Sequence, residues 1–211
     1  MEFALPVAGV GFALGWPIEW VIQRFPLGKG TRPSVRRRWI VAAVTAILFA
    51  GLTAKIGLHP RLVPALLLTA LVVPASVIDL NLRIIPDRIN FPGALLVFAA
   101  ASFAQPDRLA EFALGGLGCL LFLGLAWVVY PKGMGLGDVK MALMIGLGTG
   151  RYAFVALLAG LCASNLVSMG FIARHGRKGL KSTFPFGPFL AVGAVVSLLW
   201  GAEISSALFG W

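Results

Sequence analysis

Apolar residues run along this chain in long unbroken stretches and do not alternate with polar ones. Divided at proline, glycine and charge clusters, the pattern gives seven stretches, at about 4–23, 39–54, 62–78, 90–104, 111–130, 152–173 and 188–209. An eighth, 139–149, is shorter and holds Gly146 and Gly148. A helix crossing a bilayer needs about 20 mostly apolar residues, and only helices or closed barrels satisfy their own backbone in hydrocarbon. Continuous runs select helices over strands. The expected fold is all-α: a polytopic integral membrane helical bundle of about eight transmembrane helices, one domain over 1–211 with no soluble part. The first run is expected to stay in the protein. It lacks a basic leading region and holds Pro6, Pro17 and Glu19, unlike a cleaved signal peptide.

The charges then orient the bundle. With the N-terminus and C-terminus outside, the connections 24–38, 79–89, 131–138 and 174–187 face the cytoplasm. They and their flanks hold 14 of the 18 lysines and arginines, leaving Lys55, Arg61, Arg108 and Arg151 on the other side. Such an excess on one side is the positive-inside pattern. It holds only if 139–149 crosses, so that stretch is counted as a span.

Composition agrees with lipid as the solvent. The chain is 59% hydrophobic and 12% charged, whereas soluble domains have about 45–50% apolar and about 25% charged residues. The net charge of +10 is accounted for by topology, so nucleic acid is not expected as a partner. Cys119 and Cys162 each lie inside an apolar run and read as two small buried side chains. With His59 and His175 far apart, no zinc site and no disulfide framework is expected. Glycines at 9, 11, 15, 115, 116 and 118 suit close helix packing.

The chain has only eight acidic residues, so each can be placed. Glu2, Asp107, Glu111 and Glu203 fall at or near the outer side, and Glu19 late in the first span. Asp79, Asp87 and Asp138 lie at inner ends of spans. Asp79 closes the third span and Asp138 opens the sixth, 59 positions later, and the topology returns both to one face. An ionisable group at a span boundary is costly and points to function. Two neighbouring carboxylates do not both ionise easily. One then acts as general base on a water while the protonated one polarises a peptide carbonyl. Gly135 and Gly137 allow another chain to approach the acid closely. Alone, Gly135-Leu136-Gly137-Asp138 reads equally as a turn with a helix cap. Asp87, in a proline turn, reads as a cap or as a partner of Arg88 or Arg83.

Taken together the motifs resemble the type IV prepilin peptidase family of GxGD-type intramembrane aspartyl proteases. Ile78-Asp79-Leu80-Asn81-Leu82-Arg83-Ile84-Ile85-Pro86-Asp87 is similar to the first family signature, and Gly135-Leu136-Gly137-Asp138-Val139-Lys140 to the second. Pro185-Phe186-Gly187-Pro188-Phe189-Leu190 resembles a third stretch. The likeness covers about 62–209 well, as the expected catalytic core, and 4–61 weakly. It implies Asp79 and Asp138 as the catalytic pair. Gly135, Gly137, Lys140, Asp87, Pro185 and Gly187 become supporting positions. It implies an inner-membrane enzyme with its active site at the cytoplasmic face. The enzyme would remove short basic leaders from type IV prepilins and type II secretion pseudopilins, before a hydrophobic helix. Many members also carry a cysteine-containing cytoplasmic insert after the first span and N-methylate the new terminus with S-adenosylmethionine. Here that loop, 24–38, has no cysteine. It is similar to short forms such as archaeal preflagellin peptidases and peptidases of tight-adherence pili. Zinc is therefore not expected, and the reading leans to peptidase without methylation. The expected partners are prepilin-type substrates and membrane lipid.

Two other classes fit parts of the pattern. A proton-coupled transporter also has boundary aspartates and glycine-broken spans, but it places acids near the bilayer midplane. The interiors of these spans are almost free of charge. A non-catalytic pilus or secretion assembly protein would need neither aspartate.

Overall fold

The computed structural model describes residues 4–24, 35–131, 133–175 and 185–210. They form eight α-helices: α1 (Ala4–Arg24), α2 (Val35–Ile56), α3 (Leu62–Leu82), α4 (Asp87–Ala104), α5 (Leu109–Val129), α6 (Leu136–Thr149), α7 (Ala153–His175) and α8 (Gly187–Phe209). Short 3₁₀ turns at Pro106–Arg108 and Gly150–Tyr152 lead into α5 and α7. Among the described residues, Val35–Ile56, Leu62–Leu82, Pro106–Val129, Leu136–Arg174 and Gly187–Leu208 are long and apolar enough to cross a membrane. The fold is the expected all-α, polytopic membrane bundle. Leu95, Phe103 and Leu114 stand on its surface 70%, 89% and 67% exposed. In hydrocarbon, such side chains need no protein partner to escape water.

Small residues set how the helices pair. A Cβ added to Gly15 would overlap Ala42, which ties α1 closely to α2. One on Gly115 would meet the backbone of Gly146 and Gly150, so α5 and α6 nearly touch there. One on Gly160 would lie 3.0 Å from the Phe189 carbonyl, and one on Gly201 2.8 Å from the Tyr152 ring. These crossings make α1–α2, α5–α6 and α7–α8 antiparallel neighbours. The short helix α6 sits inside, packed on α3, α4, α5, α7 and α8. It buries Met141, Met144 and Ile145 against Leu68, Val72 and Leu123 in the main core. At 1.5 Å per residue α6 is about 21 Å long. It runs from the end of the bundle that holds Asp79 to the end that holds Arg61. Gly150, at φ 57, breaks α6 from α7.

Several sequence expectations are corrected. Cys119 is buried but Cys162, on α7, is exposed among the described residues. Gly11, Gly15, Gly115 and Gly116 sit in close crossings, whereas a Cβ on Gly9 or Gly118 would meet nothing within 4 Å among the described residues. The helices also overrun the apolar stretches. α2 takes in Arg36, Arg37 and Arg38, and α3 continues past Ile78 to Leu82. Hydropathy marks the part in hydrocarbon, while backbone hydrogen bonding continues through a polar flank whose long side chains reach for water. Arg38, for example, lies over the Trp16 ring at 5.3 Å. Glu2, Lys29, Arg32, Lys132, Arg177, Lys178 and Lys181 lie outside the described residues.

Candidate active site

Asp79 sits in the last turn of α3, and its side chain is drawn inward rather than out to solvent. The residue is 4% exposed. Its backbone carbonyl accepts the Arg83 amide at 2.8 Å, closing the helix. Arg83 makes this turn at φ 55, the one positive-φ non-glycine position among the described residues. Left-handed backbone is uncommon for a side chain of that size. Across from Asp79 is the start of α8. The Gly187 amide, the first helical position, donates to Asp79 Oδ2 at 2.9 Å. Unsatisfied amides at a helix start carry partial positive charge and favour an anion there. Only glycine fits the approach, because a Cβ on residue 187 would lie 2.8 Å from that oxygen.

Asp138 is built the same way from the other side. It is the third residue of α6 and is 8% exposed. The Gly135 amide donates to its Oδ2 at 3.1 Å, so the side chain reaches back to the residue before the helix. This is half of a capping box, the acidic half. The cap reading of the motif is thus true of the geometry, and it leaves the carboxylate incompletely used. Each aspartate spends one oxygen on a glycine amide. Each keeps Oδ1 without a hydrogen-bond partner among the described residues. The two are near enough for the charge of Asp79 to act directly on Asp138, and that of Arg83 on Asp79.

Around this pair the 84–91 segment braces the 135–140 segment. Lys140 Nζ donates to both carboxylate oxygens of Asp87, each at 2.8 Å, and stands 5.1 Å from the Phe91 ring. Asp87 is the first residue of α4 and makes no side-chain cap. Its partner is Lys140, not Arg88 or Arg83. The helix points the carboxylate across the bundle to α6, which sequence neighbours do not reveal. Gly137 packs on the Ile85 backbone, where a Cβ would lie 3.3 Å from the Ile85 carbonyl. The Gly137 carbonyl in turn accepts from Asn90 Nδ2 at 3.3 Å. Asn90 is 1% exposed, and its Oδ1 is buried without a partner among the described residues.

The fold therefore brings together Asp79, Asp138, Gly135, Gly137 and Gly187, with Lys140 and Asp87 alongside. Pro185 is half-buried just before α8. Asn90 is the residue that sequence reasoning missed. Its signal was a lone amide opening an otherwise apolar run. Among the described residues no three histidine, cysteine or acidic side chains gather as a metal site requires.

A family model described as the type IV leader peptidase family matches residues 65–172, just over half of the chain and including both aspartates. Several relatives bear the name prepilin leader peptidase/N-methyltransferase, and three of them illustrate the likeness. That of Bacillus subtilis (strain 168) is 28% identical over 169 residues, covering 77% of this chain and 66% of its own length. That of Aeromonas hydrophila is 28% identical over 187 residues, with 84% and 63% covered. That of Pseudomonas aeruginosa is 29% identical over 177 residues, with 81% and 60% covered. The chain thus spans a little under two thirds of the length of these curated relatives. No solved structure matches it significantly. With the family match enclosing the two acids that α3 and α6 bring to one end of the bundle, this chain belongs to the type IV leader peptidase family.

Proposed function

We propose that this protein is an aspartic endopeptidase of the inner membrane. It removes the basic leader of type IV prepilins or pseudopilins at the cytoplasmic face, with Asp79 and Asp138 as its catalytic pair. The observation that supports this best is the matched handling of the two acids. Each is buried, each is held by one glycine amide, and each keeps an oxygen without a hydrogen-bond partner among the described residues. In this reading one carboxylate takes a proton from water as the oxygen attacks the scissile carbonyl. The other, protonated, gives its proton to the carbonyl oxygen. Collapse breaks the C–N bond, the leaving nitrogen takes a proton, and one water is consumed. The free oxygens are the atoms suited to these transfers, and the glycine amides hold the opposite oxygens still. Gly135 and Gly187 would fix the aspartates and Gly137 would seat the loop on Ile85, with Lys140, Asp87 and Pro185 as further supports. The core of the enzyme would be 62–209.

Two isolated cysteines on α5 and α7 do not fit a zinc site. No step runs through S-adenosylmethionine, and the reading is of cleavage without methylation. The test is purified protein in detergent with a prepilin-type substrate. Wild type should cut once, at the junction of leader and hydrophobic helix. Asp79→Asn and Asp138→Asn should each lose about 10³-fold or more, as expected when one member of a reacting unit is removed. The intact mass of the product N-terminus reports the cut and any methyl group together. An inactive wild type would end the reading, and equal cutting by all three proteins would end the dyad.

A further inference from the structure

At the end of the bundle remote from Asp79 and Asp138 lies a cavity of about 290 Å³. Its wall includes Lys55, Arg61, Arg108, Arg151, Glu111 and Glu203. Those four cations are the four that charge sorting leaves on the side away from the aspartates. They come from the end of α2, the start of α3 and the turns before α5 and α7, and they converge on one space. Two are neutralised within it. Lys55 pairs with Glu203, and Arg151 donates to both oxygens of Glu111 at 3.1 Å. The guanidinium groups of Arg61 and Arg108 have no partner among the described residues; only their backbone amides are bonded. Four cations against two carboxylates leave this cavity at +2.

Glu111 and Arg151 also belong to the wall of a second space, a groove of about 440 Å³ between α5 and α7. It is apolar below the ion pair, lined by Leu114, Phe122, Phe154 and Leu157. From Glu111 to Phe122 it follows α5 for 11 positions, about 16 Å at 1.5 Å per residue. Its floor is open at Gly118, where a Cβ would meet nothing within 4 Å among the described residues. A cationic chamber thus adjoins an apolar slot on the hydrocarbon-facing surface, with one ion pair at the join.

We propose that the two spaces together bind one anionic phospholipid. Its phosphate sits between Arg61 and Arg108, and one acyl chain lies in the α5–α7 groove. A guanidinium suits phosphate oxygens, which it can engage through paired N–H donors. A soluble phosphate would leave the groove empty, and an uncharged amphiphile would leave the +2 chamber unanswered. A zwitterionic headgroup brings an ammonium among four cations.

The test uses the full chain in detergent, titrated with phosphatidylglycerol or phosphatidylethanolamine of identical acyl chains and read by native mass spectrometry. One phosphatidylglycerol should bind with a Kd at least about tenfold lower than phosphatidylethanolamine, and added salt should narrow the gap. Arg61→Gln with Arg108→Gln should bring phosphatidylglycerol to the phosphatidylethanolamine level. Gly118→Leu should weaken both lipids by filling the slot, while Gly118→Ala, with helical content checked alongside, should bind as wild type does. Equal binding of the two lipids, a preference that survives the double variant, or indifference to Gly118→Leu would overturn the proposal. Displacement of the lipid by millimolar inorganic phosphate would overturn it in favour of a soluble-anion site.

Discussion

The Gly187 amide and the Asp79 carboxylate, 108 positions apart in sequence, meet at 2.9 Å and join the start of α8 to the end of α3. This contact makes residue 187 sensitive to a single methyl group. In Gly187→Ala the Cβ would lie 2.8 Å from Asp79 Oδ2, so the carboxylate must turn away. A displacement near 1 Å at a reacting group costs about 10² in rate. The expected outcome is a kcat lower by about that factor, with KM changed by less than about threefold and helical content intact. Steady-state cleavage and circular dichroism check it.

The Lys140–Asp87 pair should matter more for alignment than for stability. Asp87 is 55% exposed at its side chain and Lys140 22%, so water screens much of the attraction. Asp87→Asn, Lys140→Gln and the double variant should give a coupling of about 0.2–1 kcal/mol in a double-mutant cycle. Unfolding in mixed detergent measures it. A coupling of several kcal/mol would show the pair to be far drier than its exposure indicates.

Asn90 holds the Gly137 carbonyl with its amide nitrogen, while its own oxygen is buried without a partner among the described residues. Asn90→Ala removes one hydrogen bond and should destabilise by about 1 kcal/mol. Asn90→Asp keeps the size but replaces the donor with a carboxylate facing a carbonyl, so it should be the worse variant in both stability and cleavage. Asp tolerated as well as Asn would contradict the donor assignment.

Arg83 combines two tasks that substitution can separate. Its φ of 55 suits glycine, so Arg83→Gly should stabilise the fold by about 1 kcal/mol or less, and Arg83→Val should cost about 1–2 kcal/mol. The same glycine variant removes the cation whose charge acts on Asp79. Higher stability with slower cleavage is the expected combination, read from unfolding midpoints and kcat measured together.

Much of this architecture was legible in the residues. Unbroken apolar runs gave eight helices, and the scarcity of acids narrowed the boundary carboxylates to Asp79, Asp87 and Asp138. The likeness of the 185–190 stretch to a family pattern pointed at Gly187 without saying what it does. The part that escaped is cross-helix geometry. Asp87 meets Lys140 53 positions away, and Asn90 meets Gly137 47 positions away. Hydrophobic periodicity reports which face of a helix is buried and not which neighbour it meets. The gathering of Lys55, Arg61, Arg108 and Arg151 around one cavity was hidden for the same reason. Charge sorting placed them on one side, and only packing made them one site.

Gly115 and Gly146 bring the backbones of α5 and α6 closest together. Asp138 lies eight positions from Gly146, about 12 Å along the axis. A tilt of α6 by about 5° about that crossing would swing Asp138 by about 1 Å. That is the scale on which proton transfer between side chain and water is won or lost. The crossing lies toward the far end of α6, so the acid stands at the long end of a lever whose alignment the whole packing of the rod must keep.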